Sequence, residues 1–486
     1  MSNVSEQILI YEKSVSGRTG YILPETGQSH GDIMSRIPAK FRRSAEAALP
    51  EVSEPIVMRH YVNLSTKNHH IDKGFYPLGS CTMKYNPKMN DVAASLPGFA
   101  DCHPLLPDSA VQGCLQIMHD LGAFLSEVSG FPAVSLQPVA GAQGEFTGLL
   151  IMRAYHQERR ERRNKVIIPD SSHGTNPATV TAAGFTVLQI KSNAEGIISP
   201  EAVAAAMDET VVGMMTTNPN TLGLFESNIV EVAKIVHAKG GLMYMDGANL
   251  NAHMGLVRPG DCGYDMMHFN LHKTFTIPHG GGGPGAGAVG ATAALAKHLP
   301  SPMVVKKQDG QFALDHDRPH SIGRLHAYNG NFAHMVRAYA YCKAIGGKGL
   351  REVSENAVLN ANYIKALIKD DYDIPYNRHC MHEFVASGSR QKKLGVKTSD
   401  ISKRLLDFGM HAPTNYFPLI VPEALMIEPT ETENRETLEE FSAVMRQIAR
   451  EAETNPEIVT SAPHNTPVRR LDEATAARTL DIAYKG

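Results

Sequence analysis

Residues 243–290 read MYMDGANLNAHMGLVRPGDCGYDMMHFNLHKTFTIPHGGGGPGAGAVG, and they hold a pair of groups that could manage a reactive carbonyl: the acid Asp246 and the single lysine Lys273. An amine condenses with an aldehyde only in its neutral form, so a lysine used this way must sit where burial or a neighbouring charge favours the free amine. Pyridoxal phosphate is the usual aldehyde. Its pyridine nitrogen acts as an electron sink when a facing carboxylate keeps it protonated, the role open to Asp246. Plainer roles exist for both residues, since most lysines are solvated and an Asp after a strand often caps a turn or a helix. Context favours the joint reading: Lys273 lies between apolar residues and glycines, with no acid in its immediate sequence neighbourhood.

The elements that must present these groups alternate. Asp246 ends an apolar run over 241–245 that predicts an interior strand, and Lys273 follows a second over 266–272. Upstream, Val111, Leu115, Met118, Leu121, Leu125 and Val128 mark one face of a helix within 109–129. A strand over 134–139 then meets Ala140-Gly-Ala-Gln-Gly-Glu and a helix over 146–159. Strand, small-residue turn and helix amino terminus make an anion pocket, which assigns a cofactor phosphate to Ala142 and Gln143; a tight αβ connection is the alternative. The next unit has strands over 165–169 and 186–190 around DSSHGTNPAT, where His173 at a strand's carboxyl end could stack on a pyridine ring. Helix 200–207, strand 211–216 and helix 228–239 continue the series. A mostly parallel sheet with helices on both faces is therefore expected over 61–330.

After it, a helix over 331–345 leads into the hinge-like Gly346-Gly-Lys-Gly. Helices over 350–369, 399–408 and 437–453 alternate with strands near 383–386 and 424–428, a smaller α+β domain over 331–460. Residues 461–486 read as an extended tail. Residues 1–60 read as an arm that reaches a partner subunit, with a helix-like piece at 39–49. The stretch 59–88 shows neither period. Its aromatic residues and its Gly-Ser-Cys-Thr favour an ordered loop near a site, so Ser80, Cys81 and Thr82 are candidates for lining an opening to substrate, Cys81 being otherwise a small buried residue.

At 486 residues with 42% apolar content the chain can bury a large core. Lys plus Arg is 47 and Asp plus Glu 50, a net charge of -3, and no basic stripe points to nucleic acid; Arg159-Arg-Glu-Arg-Arg163 reads as a solvated helix end. No stretch approaches the roughly 20 apolar residues of a membrane span. The cysteines, Cys81, Cys102, Cys114, Cys262, Cys342 and Cys380, form no C-x-x-C pair, so neither a metal site nor a disulfide framework is expected and a reducing, cytoplasmic location is.

FYPLGSCTMKYNPK, GAQGE, SSHGTNPAT, TNPNTLGLFE, MDGANLNA, NLHKTF, HGGGGPGAG and FPLIVPEALMIEPTETE carry a family. In combination they resemble the carboxyl-terminal half, or second subunit, of the glycine decarboxylase P-protein of the glycine cleavage system. The resemblance spans nearly the whole chain. It implies a pyridoxal-phosphate-dependent transferase of fold type I, like aspartate aminotransferase, with Lys273 as the imine lysine and Asp246 at the pyridine nitrogen. It also implies His173 on one ring face, Ala248 on the other, and Ala142, Gln143 and His272 at the phosphate. The reaction implied is decarboxylation of glycine with transfer of the aminomethyl group to the lipoyl arm of the H-protein, Lys273 serving also as proton donor. The partners implied are a first P-protein subunit, in a heterodimer that pairs into a heterotetramer, and the lipoylated H-protein. Phe269 and Ala288 depart from the family's usual aliphatic residue and proline. For the substrate carboxylate, Arg318 and Arg324 are candidates by charge and position alone.

Rival readings stand beside this one. Gly285-Ala-Gly-Ala-Val-Gly290 is literally the dinucleotide-binding G-x-G-x-x-G, but Pro-His-Gly-Gly-Gly-Gly-Pro precedes it where a strand should be. Another fold type I enzyme, a cysteine desulfurase or an amino-acid decarboxylase acting alone, would use the same lysine. A scaffold subunit would be free to lose Lys273, Asp246 and His173, which this chain keeps.

Overall fold

The computed structural model describes residues 8–483 apart from Leu23, Thr26, Gln28, Glu46 and residues 281–284. The chain divides into two compact units, Met1–Lys73 and Gly74–Gly486. In the first, short helix α1 (His30–Ser35) and helix α2 (Glu54–Ser65) are joined by turns and extended chain. The Val15 amide donates to Glu51 O at 3.0 Å, and the Glu51 amide donates to Ser14 Oγ at 2.9 Å. The helix-like piece expected at 39–49 is only a 3₁₀ turn, Ala39–Phe41, which follows Pro38 and ends where Arg42 turns extended. Helix α2 runs through residue 60, where the arm was expected to end, and takes in the first residues of the stretch read as loop. Its start signal, Pro55 in the first turn, was present in sequence, but mixed polar and aromatic residues hid the period.

In the second unit, helices α3 (Lys88–Ala94), α4 (Pro97–Ala100) and α5 (Gln112–Ser129) lead to strand β1 (Ala133–Ser135). Then come α6 (Gly141–Glu158), β2 (Lys165–Pro169), α7 (Thr175–Ala182), β3 (Thr186–Ile190), α8 (Pro200–Ala206), β4 (Val211–Thr217), α9 (Ile229–Ala238) and β5 (Leu242–Asp246). Strands β6 (Met266–Asn270) and β7 (Gly287–Ala291) complete a seven-stranded sheet ordered β1-β7-β6-β5-β4-β2-β3, followed by the β8 (Met303–Lys306) and β9 (Phe312–Asp315) hairpin. Only β7 runs against its neighbours. The interior strands β4, β5 and β6 are buried along their whole lengths, as continuous apolar runs in a sheet covered on both faces must be.

Helix α6 begins at Gly141, five residues before the expected start, because GAQGE is its first turn rather than a loop. Glycines make that packing possible: a Cβ on Gly144 would stand 2.5 Å from His268 Cβ, and one on Gly148 would stand 2.1 Å from the Tyr244 ring. Phe269 and Ala288 are fully buried and pack in the sheet's core. The last four residues of the G-x-G-x-x-G, Gly287 to Gly290, lie in β7, so no helix amino terminus follows them and the dinucleotide reading fails. The rest of the glycine run, 281–284, lies outside the described residues.

Helix α10 (Phe332–Ile368) joins both expected helices, with its kink at Gly346, whose φ of 61° and ψ of -177° suit glycine alone. Beyond it, β10 (Phe384–Ser387), α11 (Ser389–Lys393), α12 (Thr398–Asp407), β11 (Thr414–Asn415), β12 (Ala424–Ile427), α13 (Arg435–Thr454) and α14 (Pro456–Thr460) form the smaller α+β lobe. Its antiparallel sheet, ordered β10-β12-β11, packs Phe384, Leu425 and Ile427 against Leu438 and Phe441 of α13. The loop from Phe75 reaches this sheet: Leu78 bridges to Ile427, the Gly79 amide donates to Met426 O at 3.2 Å, and a Cβ on Gly79 would strike Met426 at 2.1 Å. The tail is not extended throughout, since Asp472 caps α15 (Glu473–Arg478). All six cysteines are unbridged. No helix among the described residues is long and apolar enough to cross a membrane.

Candidate active site

Parallel strands bring their carboxyl ends to one edge of the sheet, where helix amino termini and loops enclose a crevice. Here Thr217, Asp246 and Asn270, the last residues of β4, β5 and β6, line a cavity of about 220 Å³ together with Lys273, His173, Ala248, His272 and the first turn of α6. A larger cavity of about 350 Å³ beside β1 and α5 offers neither lysine nor carboxylate in its lining.

Asp246 is fully buried. Burial pushes its pKa up, but His268, the Asn176 amide, Lys273 and the Ala248 N–H outweigh this and hold it below the usual carboxylate value. Asn176 Nδ2 donates to Oδ2 at 3.0 Å, the Ala248 amide donates to Oδ1 at 2.9 Å, and His268 Nε2 lies 3.3 Å from Oδ1. Tyr244 Oη, 2.7 Å from His268 Nδ1, sets that ring's tautomer: a hydroxyl donating to Nδ1 leaves Nε2–H to face Asp246. Burial lowers the His268 pKa, so a neutral imidazole backs an ionised carboxylate.

Lys273 Nζ donates to Ser80 O at 2.8 Å. The His173 ring, its pKa lowered by burial, lies with Nδ1 2.8 Å from Thr175 Oγ1, and that hydroxyl donates to Glu145 Oε1 at 2.7 Å. Burial first, then the charge of Asp246, pushes Glu145 up to about 7. Two acids in one site are thus set apart, Asp246 ionised and Glu145 poised near neutrality.

At the start of α6 the first intrahelical bond is Gly144 N to Ala140 O at 3.0 Å, so the amides of Gly141, Ala142 and Gln143 lie outside the helical ladder and no side chain caps Ala140. Gln143 is not among the residues lining the cavity, and its side-chain Oε1 accepts from Val139 N at 2.8 Å. His272 Nδ1 must donate to Ala286 O, 3.1 Å away, and burial with His279 and Lys273 lowers its pKa to about 3. The neutral ring therefore presents a lone pair at Nε2, and it donates there only if a bound anion brings a proton.

The other candidates divide. Ser80 lines the cavity, whereas Thr82 is buried behind it and Cys81, its thiol pKa raised by burial, stands between them. Neither arginine candidate lines the cavity. Arg324 is exposed and bonds to Tyr328 O at 3.0 Å, and Arg318 bonds to Ala296 O at 2.6 Å, so both are held elsewhere as structural cations. Sequence reasoning passed over Glu145, Thr175, Asn176, Thr217, His268 and Asn270. A histidine inside the apolar run MMHFN was the available signal for His268; the others lay within quoted motifs but carried no role.

The donor set suits pyridoxal phosphate. An ionised acid, a lysine, an aromatic face and free amides converge, and the buried Thr217 Oγ1 and Asn270 Oδ1 in the lining have no protein partner.

Known proteins share this arrangement's sequence. The probable glycine dehydrogenase (decarboxylating) subunit 2 of Bacillus licheniformis is 56% identical over 484 residues, 99% of this chain and 100% of the relative. That of Chloroherpeton thalassium is 55% identical over 479 residues, 98% of this chain and 97% of the relative. This chain belongs to that subunit 2 family. The family described as "Glycine dehydrogenase, C-terminal domain" matches residues 353–469, and "Aminotransferase class-V" matches 146–302. Among solved structures, an inhibitor-bound glycine decarboxylase (P-protein) of the glycine cleavage system superposes with TM-score 0.73 at 21% identity, covering 86% of this chain and 95% of that one. An aspartate aminotransferase from Thermus thermophilus does so with TM-score 0.57 at 14% identity, covering 78% and 100%. The likenesses to solved structures are likenesses of fold, and the fold is that of the type I pyridoxal-phosphate enzymes.

Proposed function

We propose that this chain is the lysine-bearing second subunit of a glycine-decarboxylating enzyme, acting with pyridoxal phosphate and passing the aminomethyl group to the lipoyl arm of an H-protein. One observation carries the reading: Lys273, ionised Asp246 and the free amides of α6 open into the same cavity. When bound, the cofactor supplies an electron sink for the bond to the departing carboxylate. Lys273 would hold its aldehyde, and Asp246, fixed by Asn176, Ala248 and His268, would keep the pyridine nitrogen protonated. His173 and Ala248 would lie against the ring, and the amides of Gly141 and Ala142, with His272, would bind the phosphate, joined by the Gln143 amide of the same turn. Lys273, once released, has the reach to carry a proton at Nζ, and Ser80 opens the site toward substrate.

The relatives' designation as subunit 2 supports a first subunit as partner. A heterodimer that pairs into a heterotetramer, docking of a lipoylated H-protein and a cytoplasmic location complete the proposal. Borohydride reduction of the cofactor-loaded protein followed by peptide mapping should place a pyridoxyl label on Lys273; a label elsewhere, or none, refutes the cofactor assignment. Exchange of labelled bicarbonate into glycine should require both subunits and H-protein, and exchange by this chain alone would refute the obligate partner.

A further inference from the structure

Behind the Lys273 carbonyl partner lies a buried acidic cluster that the proposed chemistry does not use. Glu383 stands immediately before β10 and Glu428 immediately after β12, both fully buried. The Ser80 amide donates to Glu383 Oε2 at 2.6 Å. The Thr82 amide donates to Glu428 Oε2 at 2.9 Å and its hydroxyl to Oε1 at 2.6 Å. Ser80 and Thr82 have φ of 63° and 47°, left-handed values that side chains with a Cβ adopt only where their surroundings impose them. Two strained residues thus flank Cys81, each pinned by a carboxylate from the smaller lobe. The product of the strain is the direction of one carbonyl, that of Ser80, toward Lys273 Nζ at 2.8 Å.

The same loop is tied to the chain just after Lys273: Lys84 Nζ donates to Thr274 O at 2.9 Å, and Thr276 Oγ1 donates to Tyr85 O at 2.6 Å. We propose that Glu383 and Glu428 are positioning residues: through Ser80 and Thr82 they aim the Ser80 carbonyl at the Lys273 amine, giving that amine a fixed resting place whenever it is not bonded to the cofactor. The advantage is entropic, because a lysine stem left free would sample many rotamers before returning to the reacting carbon. The groups facing this cluster agree with such a role. His382 Nε2 lies 3.9 Å from Glu383 and 3.7 Å from Glu428, beyond hydrogen-bond reach, and its ring nitrogens have no partner. Lys84 is taken by Glu431 at 2.7 Å. Asn249 Nδ2, a neutral donor, reaches Glu383 Oε1 at 3.3 Å, and Lys273 is the cation toward which the pinned loop points.

The inference rests on Lys273 being the cofactor lysine, yet its test does not need the cofactor. In cofactor-free full-length protein at mildly alkaline pH, the acylation rate of Lys273 by acetic anhydride, read by peptide mass spectrometry, is compared with that of Lys348, 92% exposed and far in sequence. Thr82→Val, which keeps volume and loses the hydroxyl bond, and Glu428→Gln, which loses one acceptor, should each raise the Lys273 to Lys348 ratio about fivefold, the worth of one hydrogen bond. Thr82→Ser should keep the parent ratio. A ratio unchanged or lower in both Thr82→Val and Glu428→Gln, or raised in Thr82→Ser, overturns the proposal. Should Thr82→Val unfold, Glu428→Gln and Thr82→Ser still decide. Borohydride mapping fails separately, since it tests where the cofactor attaches rather than what holds the free amine.

Discussion

Asp246 stays ionised in a fully buried position only because an amide side chain, a backbone N–H and a neutral imidazole all face it. Asp246→Asn keeps the shape and loses the charge, so it should fold and yet lower bicarbonate exchange by roughly a hundredfold, the scale of a charged hydrogen bond. Glu145 behaves oppositely, with burial and Asp246 raising it to about 7. An acid whose folded pKa is raised binds its proton more tightly when folded, so its contribution to stability is fully present below its unfolded value and is lost as pH rises toward 7. Glu145→Gln should therefore gain on the parent protein, by on the order of 2 kcal/mol, between pH 5 and pH 8 in urea denaturation of the cofactor-free chain. A difference independent of pH would refute the assigned cause. That Lys273, Asp246 and His173 would meet at one cavity was legible in sequence, because all three end or follow strands at the sheet's carboxyl edge. Glu145 was not, because a glutamate near the start of a helix is ordinary until Asp246 is placed beside it. Arg324 stands outside the cavity lining, bonded to Tyr328 O, because charge and sequence position carry no information on where a long side chain is tied.

Elements were read well where period or punctuation is strong, and β2, β3 and α8 lie within a residue of expectation. Helix α6 started early because its glycines serve contact rather than turning. Gly148→Ala would drive a methyl into Tyr244, fully buried in β5, and should cost about 1–3 kcal/mol in urea denaturation. Gly346 isolates the other use of glycine. A Cβ there meets nothing within 4 Å, so any loss in Gly346→Ala is purely conformational. The φ of 61° with ψ of -177° predicts a loss of about 1–3 kcal/mol, and a neutral result would mean that α10 straightens without cost. The missed α2 leaves Met58, Tyr61, Val62 and Leu64 exposed and so has no single buried apolar stripe, and the tail helix α15 is six residues long and exposed, so hydrophobic period says little in either.

In the unit Gly74–Gly486 the sheet and the smaller lobe have separate cores, and the loop Phe75–Lys84 ties the second to the lysine held by the first. Cofactor binding should therefore stabilise the folded chain, by about 2.7 kcal/mol at a hundredfold excess over its dissociation constant. Ala142→Asp, which sets a negative charge among the free amides of α6, should abolish most of that gain in a denaturation series with pyridoxal phosphate. By itself the sequence determined the alternation of strand and helix, the lysine, the acid beside it and the family. These are local facts, carried by period, residue type and motif. Only the tertiary structure decided that Glu145 and Asp246 share a site, that the arginines stand apart, and that Glu383 and Glu428 hold a loop 303 and 346 residues earlier in the chain. Strand register and lobe packing set those meetings, and neither is written in the spacing of any one segment.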